Sequence, residues 1–342
     1  MTSTTAKLTR WRTPKAGAIK RLVLESEPLT QPESQKIRVE VKAVGLNFAD
    51  IFALTGLYSA TPQGAFTPGL EFAGVVQAIA DDAQTTLKVG DPVMGVTRFG
   101  GYCSHIDIEP IYLAPLPTGW RFEQGAAYLV QTLTAWYGLT ELGNLKPNQT
   151  VLIHSAAGGV GLQAMKLVTE LGGHPIGTVS SEAKKTFLKE QGFNDVWVRS
   201  NPFKNTLSKQ QQTFDLVLDA IGGEVQTSSF KWLNPMGRLV VFGAAEFTPG
   251  KNRPNYLKAA YQYLRRPKYD VMDMISDNKS VMAFNLIWLW EQQELLTEQL
   301  ASMQNVTITP PHVGHSYPFD QAHAAIEKLR SGQSIGKVVL TL

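Results

Sequence analysis

Apolar positions change their spacing twice along the chain. Up to about residue 127 they fall in short β-rich runs, at Lys36 to Val44, Glu71 to Ala80 and Asp91 to Thr97. Turn-forming clusters separate them, including Thr67-Pro68-Gly69, Val89-Gly90-Asp91-Pro92 and Phe99-Gly100-Gly101. This pattern predicts a compact β unit. From Glu123 to Leu142 the period becomes helical, and the stretch ends near Gly143. Strands and helices then alternate. Strands are predicted at Val151 to His154, His174 to Val179, Asp195 to Val198, Leu216 to Leu218 and Leu239 to Phe242, and helices at Val160 to Leu171, Ala183 to Gln191 and Val225 to Leu233. Such alternation predicts a parallel sheet covered on both faces. The remainder returns to mixed structure, with helices near Leu286 to Met303 and Asp320 to Ser331 and a strand at Lys337 to Leu342.

The fold class is therefore α/β, a β-rich unit beside a doubly wound one. The expected division is residues 1–127 with 290–342, and residues 128–289. Apolar residues make up 43% of the chain and charged residues 18%, enough for a large core and against disorder. The net charge of +3 is spread out and gives no nucleic-acid footprint; Arg265-Arg266-Pro267-Lys268 reads as a solvated loop. A single cysteine, Cys103, excludes an internal disulfide and multi-cysteine zinc sites, and fits a reducing compartment such as the cytoplasm. The run Val281 to Trp290 is too short to span a bilayer, so a soluble protein without a transmembrane segment is expected.

Between the first strand and first helix of the alternating region lies His154-Ser155-Ala156-Ala157-Gly158-Gly159-Val160-Gly161. Ala156, Gly158 and Gly161 fall at the three glycine positions of a dinucleotide fingerprint. Gly158 would let backbone approach a pyrophosphate, Gly161 would let helix pack on strand, and the helix N-terminus offers N–H groups to phosphates. The same residues also fit an ordinary turn of small side chains. The second strand is followed by Ser180, Ser181, Glu182, Ala183, Lys184 and Lys185, and the third by Arg199. Hydroxyls and cations there suit the 2′-phosphate of NADPH better than a bare ribose diol. Glu182 leaves two readings, a ribose acid or a solvated charge at a helix start.

Several ordered motifs extend this picture. They are Gly45-Leu46-Asn47-Phe48-Ala49-Asp50, Gly56-Leu57-Tyr58, Thr67 to Gly74, Val89-Gly90-Asp91, Gln131-Thr132-Leu133-Thr134-Ala135, Gly143-Asn144-Leu145-Lys146-Pro147 and Gly336 to Leu340. In these the chain resembles the quinone oxidoreductase branch of the medium-chain dehydrogenase/reductase superfamily, which includes zeta-crystallin and the vesicle amine transport protein homologues. The resemblance implies a GroES-like β domain and a Rossmann domain, an active site in their cleft, and a homodimer through the Rossmann sheet edge. It places Asn47 and Thr134 beside the nicotinamide and its ribose. Ala157, Gly158, Gly159 and Val160 fall along the pyrophosphate, and Ser180 and Lys184 near the 2′-phosphate. Phe242, Gly243 and Phe284 lie around the ribose and nicotinamide. Tyr58 matches a pocket tyrosine able to supply a proton, while a second family tyrosine is Phe52 here, which leaves water as an alternative donor. Asp50 reads as a buried structural partner.

Zinc-dependent relatives carry Cys where this chain has Asn47 and His where it has Leu70, so no zinc is expected. His105, His154, His174, His312, His315 and His323 read as surface or packing residues. Without a metal to polarise a carbonyl, the expected acceptor is a quinone or an α,β-unsaturated carbonyl such as an enone or enal. Two alternatives remain open: an enoyl-thioester reductase, and a protein that binds NADPH or another ligand without turnover. The segment Asn285 to Trp290 reads as core or dimer packing.

Overall fold

The computed structural model describes residues 7–303, 306 and 309–342, which form two compact units. The first holds residues up to Val130, a short piece at Pro249–Pro254, and Pro310–Leu342; the second holds Gln131–Thr248 and Asn255–Thr309. The second junction thus falls at residues 309–310, later than the expected 289–290. Helix pairing explains the shift, because Gln293–Met303 packs on the turn Leu286–Glu291 of the second unit.

In the first unit, β1 (Lys7–Arg12) and β2 (Val23–Pro28) form an antiparallel pair. After them come β3 (Ile37–Gly45), α1 (Phe48–Thr55), β4 (Glu71–Ile79), β5 (Pro92–Val96), β6 (His105–Ile108), β7 (Leu113–Pro115) and α2 (Phe122–Gly125). The single helix expected from Glu123 to Leu142 is broken: α3 spans Leu129–Tyr137 and runs into a wider, π-type turn at Gly138–Leu142. Buried Glu71 accounts for the restart, since its Oε2 accepts the Val130 N–H at 3.3 Å in the first turn of α3.

The second unit continues with β8 (Thr150–Ile153), α4 (Gly159–Glu170), β9 (His174–Val179), α5 (Glu182–Glu190), β10 (Val196–Val198), α6 (Lys204–Gln210), β11 (Phe214–Asp219), α7 (Gly223–Lys231) and β12 (Leu233–Val241). α8 (Tyr256–Leu264), α9 (Val271–Asp277), β13 (Ser280–Ala283) and α10 (Gln293–Met303) complete it. Its six strands are all parallel in the order β10-β9-β8-β11-β12-β13, the doubly wound arrangement whose direction reverses between β8 and β11. The residues expected to begin one long helix at Leu286 instead form a 3₁₀ segment, Leu286–Glu291. Its three-residue period directs Ile287 and Trp290 to one buried side. α8 and α9 bury no residue, and Leu257 is 87% exposed. Arg265 and Arg266 follow α8 as exposed cations over the rings of Tyr261 and Tyr263.

The chain re-enters the first unit with β14 (Val313–Pro318), α11 (Ala322–Arg330) and β15 (Lys337–Thr341). Strand order there is β14-β15-β3-β4-β5-β7, with β6 also on β3; β14 runs parallel to β15 and the other pairs are antiparallel. The core beneath includes Val39, Ile51, Leu54, Phe72, Val338 and Cys103. Burial pushes the Cys103 thiol up to about 12. No described helix is long and apolar enough to cross a membrane.

Candidate functional site

The turn between β8 and α4 is built for close approach. Ser155 takes a left-handed φ of 54°, and Gly158 precedes the helix in an extended conformation. A Cβ on Gly161 would lie 2.3 Å from the Ser155 carbonyl oxygen, so only glycine lets α4 pack there. A Cβ on Gly158 would meet only that oxygen, at 3.2 Å, and its remaining side is open. Ala157 is buried, while Gly158, Gly159 and Val160 are half-exposed at the N-terminus of a 12-residue helix. Donors of this kind, beside an open backbone, suit a pyrophosphate. Gln131, a motif residue given no site role from sequence, has its Oε1 3.0 Å from where a Gly159 Cβ would sit. Thr134 lies one turn further along α3 and is buried.

Exposed Ser180 follows β9, and Ser181 caps α5 by accepting the Lys184 N–H at 3.4 Å. Arg199 follows β10, its N–H donating to the Val179 carbonyl at 2.9 Å. Ser180 and Arg199 therefore follow the carboxyl ends of adjacent strands, and Lys184 stands in the first turn of α5. Phe242, Gly243 and Phe284 gather at the ends of β12 and β13. The Phe284 ring lies 6.1 Å from Phe242 and 5.1 Å from Tyr137, and Gly243 packs on the Ala220 backbone.

The first unit carries Asn47 and Tyr58. Tyr58, three residues past the end of α1, is half-buried against the core, and Phe52 lies on α1 itself. Asn47 sits at the start of α1 in a dense polar network. Its Nδ2 donates to Glu71 Oε1 at 3.0 Å and to the Gly45 carbonyl at 3.3 Å, and its Oδ1 accepts from Lys337 Nζ at 2.9 Å. The Lys337 ammonium also donates to Glu71, with both side chains almost fully buried. Asp50 is buried too. It accepts the Asn47 N–H at 2.8 Å, the Gly69 N–H at 3.2 Å and the Tyr102 hydroxyl at 3.1 Å. Burial raises the Asp50 carboxyl from 3.8 to about 6, against those hydrogen bonds and the Lys337 charge. Burial likewise lowers Lys337, while Glu71 and Asp50 pull it back up. Sequence reading of Asp50 as a structural partner matches this environment; Glu71 and Lys337 had not been singled out.

These geometries agree with matches to known families. Residues 33–128 match the alcohol dehydrogenase GroES-like domain and residues 192–340 the zinc-binding dehydrogenase model. Among solved structures, the Thermus thermophilus quinone oxidoreductase, described with its NADPH complex, is 27% identical with a TM-score of 0.78, covering 98% of this chain and 100% of that one. The CurK enoyl reductase is 27% identical with a TM-score of 0.80, covering 98% and 99%. Fold and site thus define a medium-chain dehydrogenase/reductase of the quinone oxidoreductase-like branch.

Within that branch the chain belongs to the family of the synaptic vesicle membrane protein VAT-1 homologs. The human protein is 30% identical over 331 residues, covering 95% of this chain and 84% of its own length. The zebrafish (Danio rerio) protein is 31% identical over 314 residues, covering 90% of this chain; the match spans 64% of that relative.

The zinc in the second model's description does not suit the residues present. Asn47 and Leu70 offer no thiolate or imidazole, and the Lys337 ammonium already sits against Glu71. Among the described residues, no group of three or more His, Cys, Asp or Glu is placed to hold a metal.

Proposed function

We propose that this chain is an NADPH-dependent reductase that passes hydride to a quinone or an α,β-unsaturated carbonyl without a metal. The observation that carries the reading is the turn His154–Gly161, which joins strand to helix at the reversal point of a 3-2-1-4-5-6 parallel sheet and opens on the Gly158 side. Bound NADPH supplies the hydride, and conjugation in the acceptor replaces metal activation. Ala157 to Val160 hold the pyrophosphate, and Ser180, Lys184 and Arg199 meet the 2′-phosphate. Asn47 and Thr134 fix the nicotinamide end, with Phe242, Gly243 and Phe284 excluding water around it. Tyr58 or a water supplies the proton.

The NADPH complex described for the Thermus thermophilus relative supports the cofactor. The CurK relative favours a second reading, in which the unsaturated carbonyl is an enoyl thioester. A homodimer through β13 is part of the proposal, supported by the position of β13 at the end of the sheet order and by the exposed apolar residues of α8 and α9. Cytoplasmic residence fits the lone thiol.

The test is to titrate the protein with NADPH and NADH, then add 1,4-benzoquinone, phenanthrenequinone, a short enal and a crotonyl pantetheine thioester in turn. Tight NADPH binding with oxidation by a quinone or the enal is expected. Oxidation by the thioester alone would select the second reading. Tight binding without oxidation would point to a ligand-binding protein, and no binding of either nucleotide would remove the reading of the turn.

A further inference from the structure

His154, the last residue before the glycine turn, is 1% exposed and hydrogen-bonded at both ring nitrogens. The donors in this network can be ordered. The Ser229 hydroxyl donates to the Val225 carbonyl at 2.7 Å, so its oxygen must accept from His154 Nε2, at 2.8 Å. Burial, together with the Arg199 charge, holds the imidazole well below its usual range and therefore neutral. With the proton on Nε2, Nδ1 is bare and accepts the hydroxyl of Thr178 at 2.8 Å. The Thr178 oxygen then turns its lone pairs to Arg199, whose Nη1 donates to it at 3.4 Å. Each link fixes the direction of the next, from the backbone of α7 to the guanidinium beyond β10. The ring plane is held as well, by the edge of Phe203 at 5.2 Å.

We infer that His154 and Thr178 are positioning residues for nucleotide choice: through this one-way chain they aim Arg199, and so set the preference for a 2′-phosphate over a ribose diol. The inference rests on the proposed NADPH reading. A free arginine side chain samples many rotamers, and ordering it only when ligand arrives weakens the contact. Here one guanidinium N–H is tied to the Thr178 hydroxyl, and the buried Asp219 carboxylate attracts the same cation, so the direction of the group is set before a ligand arrives. A fully buried threonine hydroxyl and a fully buried neutral histidine are otherwise poor choices for a β-sheet interior, where valine and phenylalanine would pack without polar atoms.

The experiment measures Kd for NADPH and NADH by calorimetry on wild type and on Arg199→Ala, Thr178→Val, Thr178→Ser and His154→Phe, with the His154 ring nitrogens followed by NMR. Arg199→Ala should reduce the NADPH preference most, by roughly tenfold or more. Thr178→Val and His154→Phe should reduce it roughly three- to tenfold while NADH binding changes little, and Thr178→Ser, which keeps the hydroxyl, should hold the wild-type ratio. Wild-type NMR should show a protonated Nε2 and a bare Nδ1. If Arg199→Ala lowers the preference but Thr178→Val does not, the chain is structural only and the inference fails while the NADPH reading stands. If Arg199→Ala leaves the ratio unchanged, Arg199 does not meet the 2′-phosphate, and its role in the proposed function falls together with the inference. A protonated Nδ1 would overturn the donor order directly.

Discussion

Each unit buries one polar network beside residues proposed to meet the cofactor, and the two are made of different chemistry. The network of the first unit is ionic: Glu71, Lys337 and Asp50 converge on Asn47. That of the second is a chain of neutral groups, Thr178, His154 and Ser229, with one cation at its outer end. Both orient a polar side chain. They differ in how they fail. Removing one member of a buried ion pair strands a charge, whereas removing one neutral link strands a single hydrogen-bonding atom.

That contrast is sharpest at Lys337. Lys337→Met should destabilise the protein by about 3–5 kcal/mol, read from urea unfolding, because the buried Glu71 carboxyl loses its partner. Adding Glu71→Gln should restore part of the loss; a double variant no better than the single one would show that packing, not charge, dominates. The next effect is one of pH. Asp50 binds its proton more tightly when folded, since its pKa is about 6 rather than 3.8, so its favourable contribution is complete below about pH 4 and is lost as pH rises through about 6. The two-unit rise corresponds to roughly 3 kcal/mol. Asp219 shifts the same way, to about 6, so the difference between wild type and Asp50→Asn is the quantity to follow. Wild type should lose stability relative to Asp50→Asn as pH rises from 4 to 7; a difference that stays constant would place the Asp50 pKa outside that window. Smallest is Ser229→Ala, which leaves the His154 Nε2–H without its acceptor and should cost about 1–3 kcal/mol. Because the ring is neutral, that cost should be the same at pH 6 and pH 8.

What could be read from the sequence follows how far apart in the chain the partners lie. The β8–α4 turn was legible because strand, glycines and helix are consecutive, and periodicity located the neighbouring strands within one or two residues. Asn47 could be named by resemblance, but Lys337, which sets its amide, lies 290 residues away and read only as part of a terminal strand and motif with no role of its own. His154 read as a packing histidine for the same reason, since Thr178 and Ser229 stand 24 and 75 residues from it. The β1–β2 pair escaped notice because its outward positions carry charge instead of hydrophobicity, with Arg10 and Arg12 reaching diagonally across the ribbon to Glu27 and Glu25. The break ahead of α3 was invisible locally, because a carboxylate from β4 makes it.

Cys103 has a consequence for the chemistry proposed here. Quinones and enals are soft electrophiles that alkylate thiolates, and a protein handling them is exposed to attack by its own substrates. This chain has one sulfhydryl, folded into the core and kept protonated by a pKa of about 12. Its one thiol is therefore withheld, as a protonated and buried group, from the compounds it is proposed to reduce.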